Sequence, residues 1–436
     1  MEVIKLYKKR SVLCFASVLL IFCFHRFVSQ KISFIRFSTD SIVITDYTYY
    51  IIMVKAFWFK GLGNIYELSF QNHALSMHVG SQIHVAMPLG STPIGLVLWL
   101  PFAYVARCSM PLSYTLWSSF SIGVLLVSLW NVSRYAFQLK KLDLLPITLV
   151  LVTLFSLNTL FSIYLGQTSV LAAGVLINLF YFVNKTVKES KSGNCLLILL
   201  LIFILGIKPT YIALGLGLLI IYGLWREAFY TVILVLVVLI GITPLLTVEW
   251  VPSYLNHLRM FSQGNIPDVY AGAVTLETTN IFRSAFRLIF SDSFVSLISN
   301  VIYYSVYISV IGLFSFVKIR GKSIDQLGPL KITKEQFFVL LVTSYLLFVP
   351  FAGAYEDVLL LTVFVTVLIV GNTPPLNSYK SFVLVFFLFI ILLHNIFPLD
   401  KPLWLFWILK AVILGYMLNF CRLPPKGEKS TTRSGN

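Results

Sequence analysis

Uninterrupted apolar runs constrain this chain more than any other feature. Segments such as CLLILLLIFIL (195–205), YIALGLGLLIIYGL (211–224) and FYTVILVLVVLIGITPLL (229–246) contain no charged residue. Runs of this kind recur from the first residues to near residue 420. A soluble domain is about 45–50% apolar and about 25% charged, whereas this chain is 58% hydrophobic and 11% charged, with mean hydropathy +0.88. Folding in water cannot hide that much apolar surface. Soluble enzymes, disordered chains and disulfide scaffolds are excluded, and the continuous runs do not match the short alternating segments of a β-barrel. The expected fold class is an all-α polytopic membrane protein.

Charge orients it. A first helix over 11–29 leaves Lys5, Lys8, Lys9 and Arg10 on the cytoplasmic side, and the basic flanks of later runs fall on that side too. These flanks are Arg134/Lys140/Lys141, Lys185/Lys188/Lys191, Arg226, Lys318/Arg320/Lys322/Lys331/Lys334, Lys380 and Arg422/Lys426/Lys429/Arg433. The net charge of +16 is therefore read as orientation and contact with anionic lipid, and no nucleic acid partner is called for. No small-x-small cleavage site follows the first run, so it is read as an uncleaved helix.

The pattern holds only if residues 91–106 do not cross. At 1.5 Å per residue they span about 24 Å, less than a hydrocarbon core of about 30 Å, and they carry Pro93 and Pro101. They are read as an interfacial helix. The expected crossings are then 11–29, 112–133, 144–163, 168–184, 194–207, 210–225, 228–248, 293–317, 336–353, 357–371, 381–398 and 402–420. Twelve helices put both termini in the cytoplasm. Residues 1–420 form a single transmembrane domain, 421–436 a polar tail, and residues 30–111 and 249–292 two long outer loops. The first loop includes Asp46 to Lys60, where Tyr47, Tyr50, Ile51, Val54 and Trp58 recur near helical spacing and predict an amphipathic helix.

Acidic residues are scarce, and ten of the seventeen fall on the outer side: Asp40, Asp46, Glu67, Glu249, Asp268, Glu277, Asp292, Glu356, Asp357 and Asp400. Asp46 is either a first-turn helix acid or a general base. Glu356 and Asp357, beside Tyr355, open a crossing in the same way. Gln167, after Gly166, either satisfies freed backbone groups in a membrane turn or contacts a sugar or phosphate. Lys208, between two apolar runs, either pairs with an anion or snorkels to the interface. Arg283 and Arg287, four apart, share a helix face suited to an anionic headgroup. His73, His78 and His84 lack the spacing of a metal site. The five cysteines (Cys14, Cys23, Cys108, Cys195 and Cys421) form no CxxC pair, and neither metal nor cofactor is expected.

In order and spacing these features resemble the GT-C superfamily of membrane glycosyltransferases. The local wording is similar to glycosyltransferase family 87, the polyprenol-phosphate-mannose-dependent mannosyltransferase-like proteins. The stretches are TDYTYYIIMVKAFWFKGLGNIY (45–66), AMPLGSTPIGLVLWLP (86–101), YLGQTSVLAAGVL (164–176), GIKPTYIALGLGLLI (206–220) and YEDVLLLTV (355–363). The resemblance covers about residues 40–365. It implies that Asp46 is the catalytic aspartate and that Gln167, Lys208, Tyr355, Glu356 and Asp357 meet substrate. Family members often have His where Tyr355 stands, so that position's role departs from the family's. The implied activity is inverting transfer of a hexose, commonly mannose, from a polyprenyl-phosphate sugar donor to a glycolipid or polysaccharide acceptor. It would take place on the outer, periplasmic face of the plasma (inner) membrane. The alternatives are a transporter or flippase of a lipid-linked sugar, and an assembly subunit without chemistry.

Overall fold

The structure, a computed structural model, describes residues 46–61, 63–79, 90–137, 157–189, 194–247, 249–263, 291–319, 334–348 and 358–359. Among these residues it is helical throughout, without strands. The helices are α1 (Asp46–Lys55, continued by a π-helical turn, Ala56–Lys60), α2 (Leu68–Val79), α3 (Pro93–Val105) and α4 (Met110–Phe137). They continue with α5 (Leu157–Leu165), α6 (Ser169–Glu189), α7 (Cys195–Leu205) and α8 (Pro209–Ile221). The last four are α9 (Trp225–Leu246), α10 (Trp250–Gln263), α11 (Asp292–Ile319) and α12 (Lys334–Phe348).

Three of them are long and apolar enough to cross a bilayer: Met110–Val132 in α4, Ser169–Val187 in α6 and Trp225–Leu246 in α9. They occupy different environments. Of the α6 span 72% is buried, so it is the central post, whereas 17% of the α9 span is buried. Phe229, Val232, Ile233, Leu236, Val237 and Ile240 of α9 are exposed. An uncovered apolar band of that size is a surface for acyl chains rather than for water.

Over the described residues, the expected crossings 112–133, 168–184, 194–207, 210–225, 228–248, 293–317 and 336–353 overlap helices α4, α6, α7, α8, α9, α11 and α12. α7 and α8 have 11 and 13 residues. At 1.5 Å per residue each reaches only about 16–20 Å, part of a bilayer core. The end of 144–163 is helix α5. Crossings 11–29, 381–398 and 402–420, all of 357–371 except 358–359, and the tail 421–436 lie outside the described residues. Residues 93–105 form the short helix expected of the Pro-flanked stretch.

α4 and α6 make the tightest pair. A Cβ on Gly174 would stand 2.8 Å from the Leu125 backbone nitrogen, so the two backbones meet there. Close approach at a small residue is how helices gain contact where lipid removes the hydrophobic drive. Asn178 adds polar contacts, donating to Ser128 Oγ at 2.5 Å and accepting from Asn131 at 3.3 Å. α8 packs on α11 and α12 through Tyr307, whose hydroxyl donates to the Ala213 carbonyl at 2.9 Å, and through Leu341 against Gly217.

One expectation is corrected. α1 is not amphipathic: Tyr47, Tyr49, Ile51, Ile52, Met53 and Val54 are all buried, so apolar residues surround the axis. The chain folds over the helix from several sides. α2 and α3 pack on it, and residues 113–117 of α4 and the 166–167 turn meet its first turn.

Candidate functional site

Asp46 is the first residue of α1 and is half-buried. Its carboxylate therefore sits in the first turn, where the partial positive charge of a helix N-terminus favours an anion. Its neighbour Tyr47 anchors the turn. The Tyr47 ring lies 5.6 Å from Trp99, 5.3 Å from Tyr114 and 6.4 Å from Trp117. Ser113 Oγ donates to the Phe102 carbonyl at 2.6 Å. The one serine proton is thus used, and the Tyr47 hydroxyl is the donor in its 2.5 Å bond to Ser113 Oγ. Burial pushes the Tyr47 phenol up to about 12, so it remains protonated. One residue turn further, Tyr50 stacks on Trp99 with centroids 5.5 Å apart.

The turn between α5 and α6 closes on the same place. Gly166 has φ +66°, and a Cβ there would fall 2.2 Å from Tyr47 Cβ. Both the left-handed backbone and the contact require glycine. Trp117 Nε1 donates to the Gly166 carbonyl at 3.2 Å, and Tyr114 donates to the Ile163 carbonyl. Gln167 follows, 3% exposed. Among the described residues Gln167 Oε1, Thr168 Oγ1 and Trp99 Nε1 are buried polar atoms without a hydrogen bond in the protein.

The break at Lys208 joins from the other end of α3. Lys208 is extended (φ −130°, ψ 138°), as the residue before proline prefers, and α8 starts at Pro209. A break inside an apolar region frees carbonyls that must find donors. Ser91 and Thr92 supply them. Thr92 N–H donates to the Ile207 carbonyl at 3.0 Å, Ser91 Oγ to the same carbonyl at 3.2 Å, and Thr92 Oγ1 to the Gly206 carbonyl. Thr92 is the N-cap of α3 but spends its hydroxyl on α7 instead of on its own helix. Lys208 Nζ lies 5.3 Å from the Tyr211 ring centroid and is half-buried.

α3 therefore touches the elements that hold both predicted groups. The Lys208 break is tied to Thr92, and the Asp46 turn to Trp99, seven residues on. At 1.5 Å per residue these attachment points are about 10 Å apart along the helix. Asp46, Gln167 and Lys208 are gathered on one packed unit. Tyr355, Glu356, Asp357, Arg283 and Arg287 lie outside the described residues.

Tyr47, Trp99, Trp117, Ser91 and Thr92 were not singled out by sequence. Neither was α10, whose Trp250, Tyr254 and His257 recur at helical spacing on one buried face. They enclose Tyr66 at 6.1, 4.9 and 6.1 Å between ring centroids. The Tyr66 hydroxyl donates to the Ser91 carbonyl at 2.9 Å, and Asn64 to Ser253 at 2.9 Å. α10 thus clamps Asn64 and Tyr66, and Tyr66 in turn holds the Ser91 carbonyl. Burial alone lowers the His257 pKa to about 4, keeping the ring neutral.

A cavity of about 450 Å³ opens beyond the far end of α1, and no lining residue belongs to the first turn. Among the described residues no three His, Cys, Asp or Glu side chains group to hold a metal ion. No family model matches the chain, and neither does any curated protein or solved structure.

Proposed function

We propose that the protein is a membrane glycosyltransferase of GT-C type, with twelve crossings, which moves a hexose from a polyprenyl-phosphate donor to a glycolipid or polysaccharide acceptor. The observation that carries this reading is the packing of three separate sequence motifs around α1 and α3: the Gly166 turn meets Tyr47 beside Asp46, Tyr47 meets Trp99 of α3, and the Lys208 break is tied to Ser91 and Thr92 at the start of α3.

The chemistry follows from the leaving group. A lipid phosphate departs as a stabilised anion and needs little acid assistance. The attacking hydroxyl must lose its proton, which one carboxylate can accept, so Asp46 is assigned as general base and the product is inverted. Lys208 attracts the departing phosphate, and such stabilisation of developing charge is the larger contribution. The exposed band on α9 suits the donor's isoprenoid tail.

The test is D46N, reconstituted in vesicles and supplied with radiolabelled polyprenyl-phosphate hexose. Losing a general base lowers the rate by about 10²–10⁴-fold, with donor binding retained. Wild-type transfer by D46N refutes the assignment. The break at Lys208 favours a second reading, a transporter of lipid-linked sugar, because transporters bind substrate at discontinuous helices. Counterflow of labelled lipid-linked sugar across vesicles without any transferred product would select it.

A further inference from the structure

Cations also gather at the opposite end of α1, about 14 Å from Asp46 at 1.5 Å per residue. There the helix opens into the five-residue π turn Ala56–Lys60. Single π turns cost hydrogen-bond geometry and recur at functional sites. The turn forms one wall of the 450 Å³ cavity through Ala56 and Lys60, and one face of α2 forms the other through Phe70, His73, Ala74 and Met77. That volume lies in the range of small-ligand sites, about 300–1,000 Å³.

Among the described residues the charged groups beside it are the cations Lys55, Lys60 and Arg107. Lys55 Nζ donates to the Ala106 carbonyl at 3.2 Å, just past the C-terminus of α3. Arg107, the next residue, lays its guanidinium 4.9 Å from the Phe59 ring centroid and 5.7 Å from that of Tyr104. The Lys55 pKa is lowered first by burial, then by Lys60 and Arg107. His78 is lowered by desolvation, then by Lys55 and Lys60. Lys60 and Arg107 thus lie close enough to Lys55 to disfavour its charge. Phe59, Tyr104 and Met77 are large apolar side chains left exposed beside them. Cations flanked by exposed aromatic rings are the arrangement found at the headgroup level of a bilayer.

We propose that Lys55, Lys60 and Arg107, with the adjoining cavity, bind the phosphate headgroup of an anionic membrane lipid, whose acyl chains run along Phe59, Tyr104 and Met77. The site is separate from Asp46 and does not depend on the transferase reading.

The test uses the full chain in phosphatidylcholine nanodiscs doped with phosphatidylglycerol, counting lipid retained after detergent extraction by native mass spectrometry. Phosphatidylglycerol should be enriched over phosphatidylcholine. Each lost cation weakens attraction to an anionic surface by about fivefold. K60Q should therefore cut the enrichment by about fivefold and K60Q/R107Q by about 25-fold, while R107K and the distant K185Q leave it unchanged. R107K shows that a loss in the double variant reflects charge and not unfolding. The proposal is overturned if K60Q/R107Q retains wild-type enrichment or if phosphatidylcholine is held equally well. Displacement of the lipid by inorganic phosphate at equal phosphorus concentration also overturns it, assigning the cavity to a soluble anion. Because D46N leaves these cations in place, its effect on transfer and this retention assay fail or succeed separately.

Discussion

Replacing Gly166 tests whether the turn between α5 and α6 sets the position of Asp46. Two penalties fall on G166A. The backbone is left-handed at φ +66°, which costs a residue with a Cβ about 1–2 kcal/mol. The new methyl would sit 2.2 Å from Tyr47 Cβ, 3.0 Å from its Cγ and 3.3 Å from its Cα. These are rigid atoms of a helix and cannot rotate away. Overpacking of this kind costs about 1–3 kcal/mol, so G166A should lose about 2–5 kcal/mol. Asparagine separates the two terms, because it tolerates the left-handed region but carries the same Cβ. G166N should recover part of the backbone cost and remain about 1–3 kcal/mol less stable than wild type. Equilibrium unfolding in mixed micelles, followed by tryptophan emission, reads the loss directly. Trp117 donates to the Gly166 carbonyl and so reports on the turn itself. Since the displaced body is the first turn of α1, the transferase reading expects transfer activity to fall further than stability at a temperature where both variants stay folded. A G166N protein as stable as wild type would refute the contact, and with it the claim that this turn places Asp46.

Three other perturbations follow from the same geometry. T92V removes the hydroxyl that donates to the Gly206 carbonyl and leaves a buried acceptor short of a donor, costing about 1–3 kcal/mol. Faster amide exchange at residues 206–208 in detergent would register it. N178L removes the polar contacts between α4 and α6. Ser128 keeps its bond to the Val124 carbonyl, so the loss in micelle unfolding should be only about 1 kcal/mol. His257 predicts acid sensitivity. Its pKa is about 4 when folded and about 6.5 when unfolded, so between those values the unfolded chain binds more protons and stability falls as pH falls. The loss accumulates from about pH 6.5 to pH 4 and reaches about 3 kcal/mol. H257F should flatten that dependence in unfolding titrations at several pH values, and an unchanged slope would contradict the burial of this ring.

Much of the helical layout was legible because one-dimensional rules govern it. The runs 112–133, 168–184 and 228–248 announce helices by length and apolarity, and Lys208–Pro209 announces a break because proline lacks an N–H and forces its predecessor to be extended. What was not legible is pairwise. Nothing periodic tells that Ser91 and Thr92 will meet carbonyls about 115 residues away, or that Tyr66 will be enclosed by α10. The reading of α1 as amphipathic failed for a related reason. Tyr47 and Ile51 fit an apolar stripe, but Tyr49 and Ile52 are buried as well, since helices and turns from distant parts of the chain cover the other faces. The candidate residues Asp46, Gln167 and Lys208 stand out in the sequence by their rarity, whereas the aromatic and hydroxyl residues packed around them, common in any membrane protein, do not.

The stitched break also bears on which reading of the function is stronger. A transporter that alternates between two states must let the freed backbone groups of a broken helix exchange partners as one half moves against the other. Here the Gly206 and Ile207 carbonyls take three donors from Ser91 and Thr92. Gly206 is also pressed on Ile94, which would lie 2.8 Å from a Cβ at that position. Moving the break would strand two carbonyls in an apolar interior and shift α3, which carries Trp99 and therefore the Asp46 turn. Each unsatisfied group in such a place costs several kcal/mol, which makes the discontinuity a fixed feature and not a hinge. A lysine and a carboxylate whose turns are both held against one helix suit a transferase, because its charge stabilisation depends on groups already in position before the reaction starts.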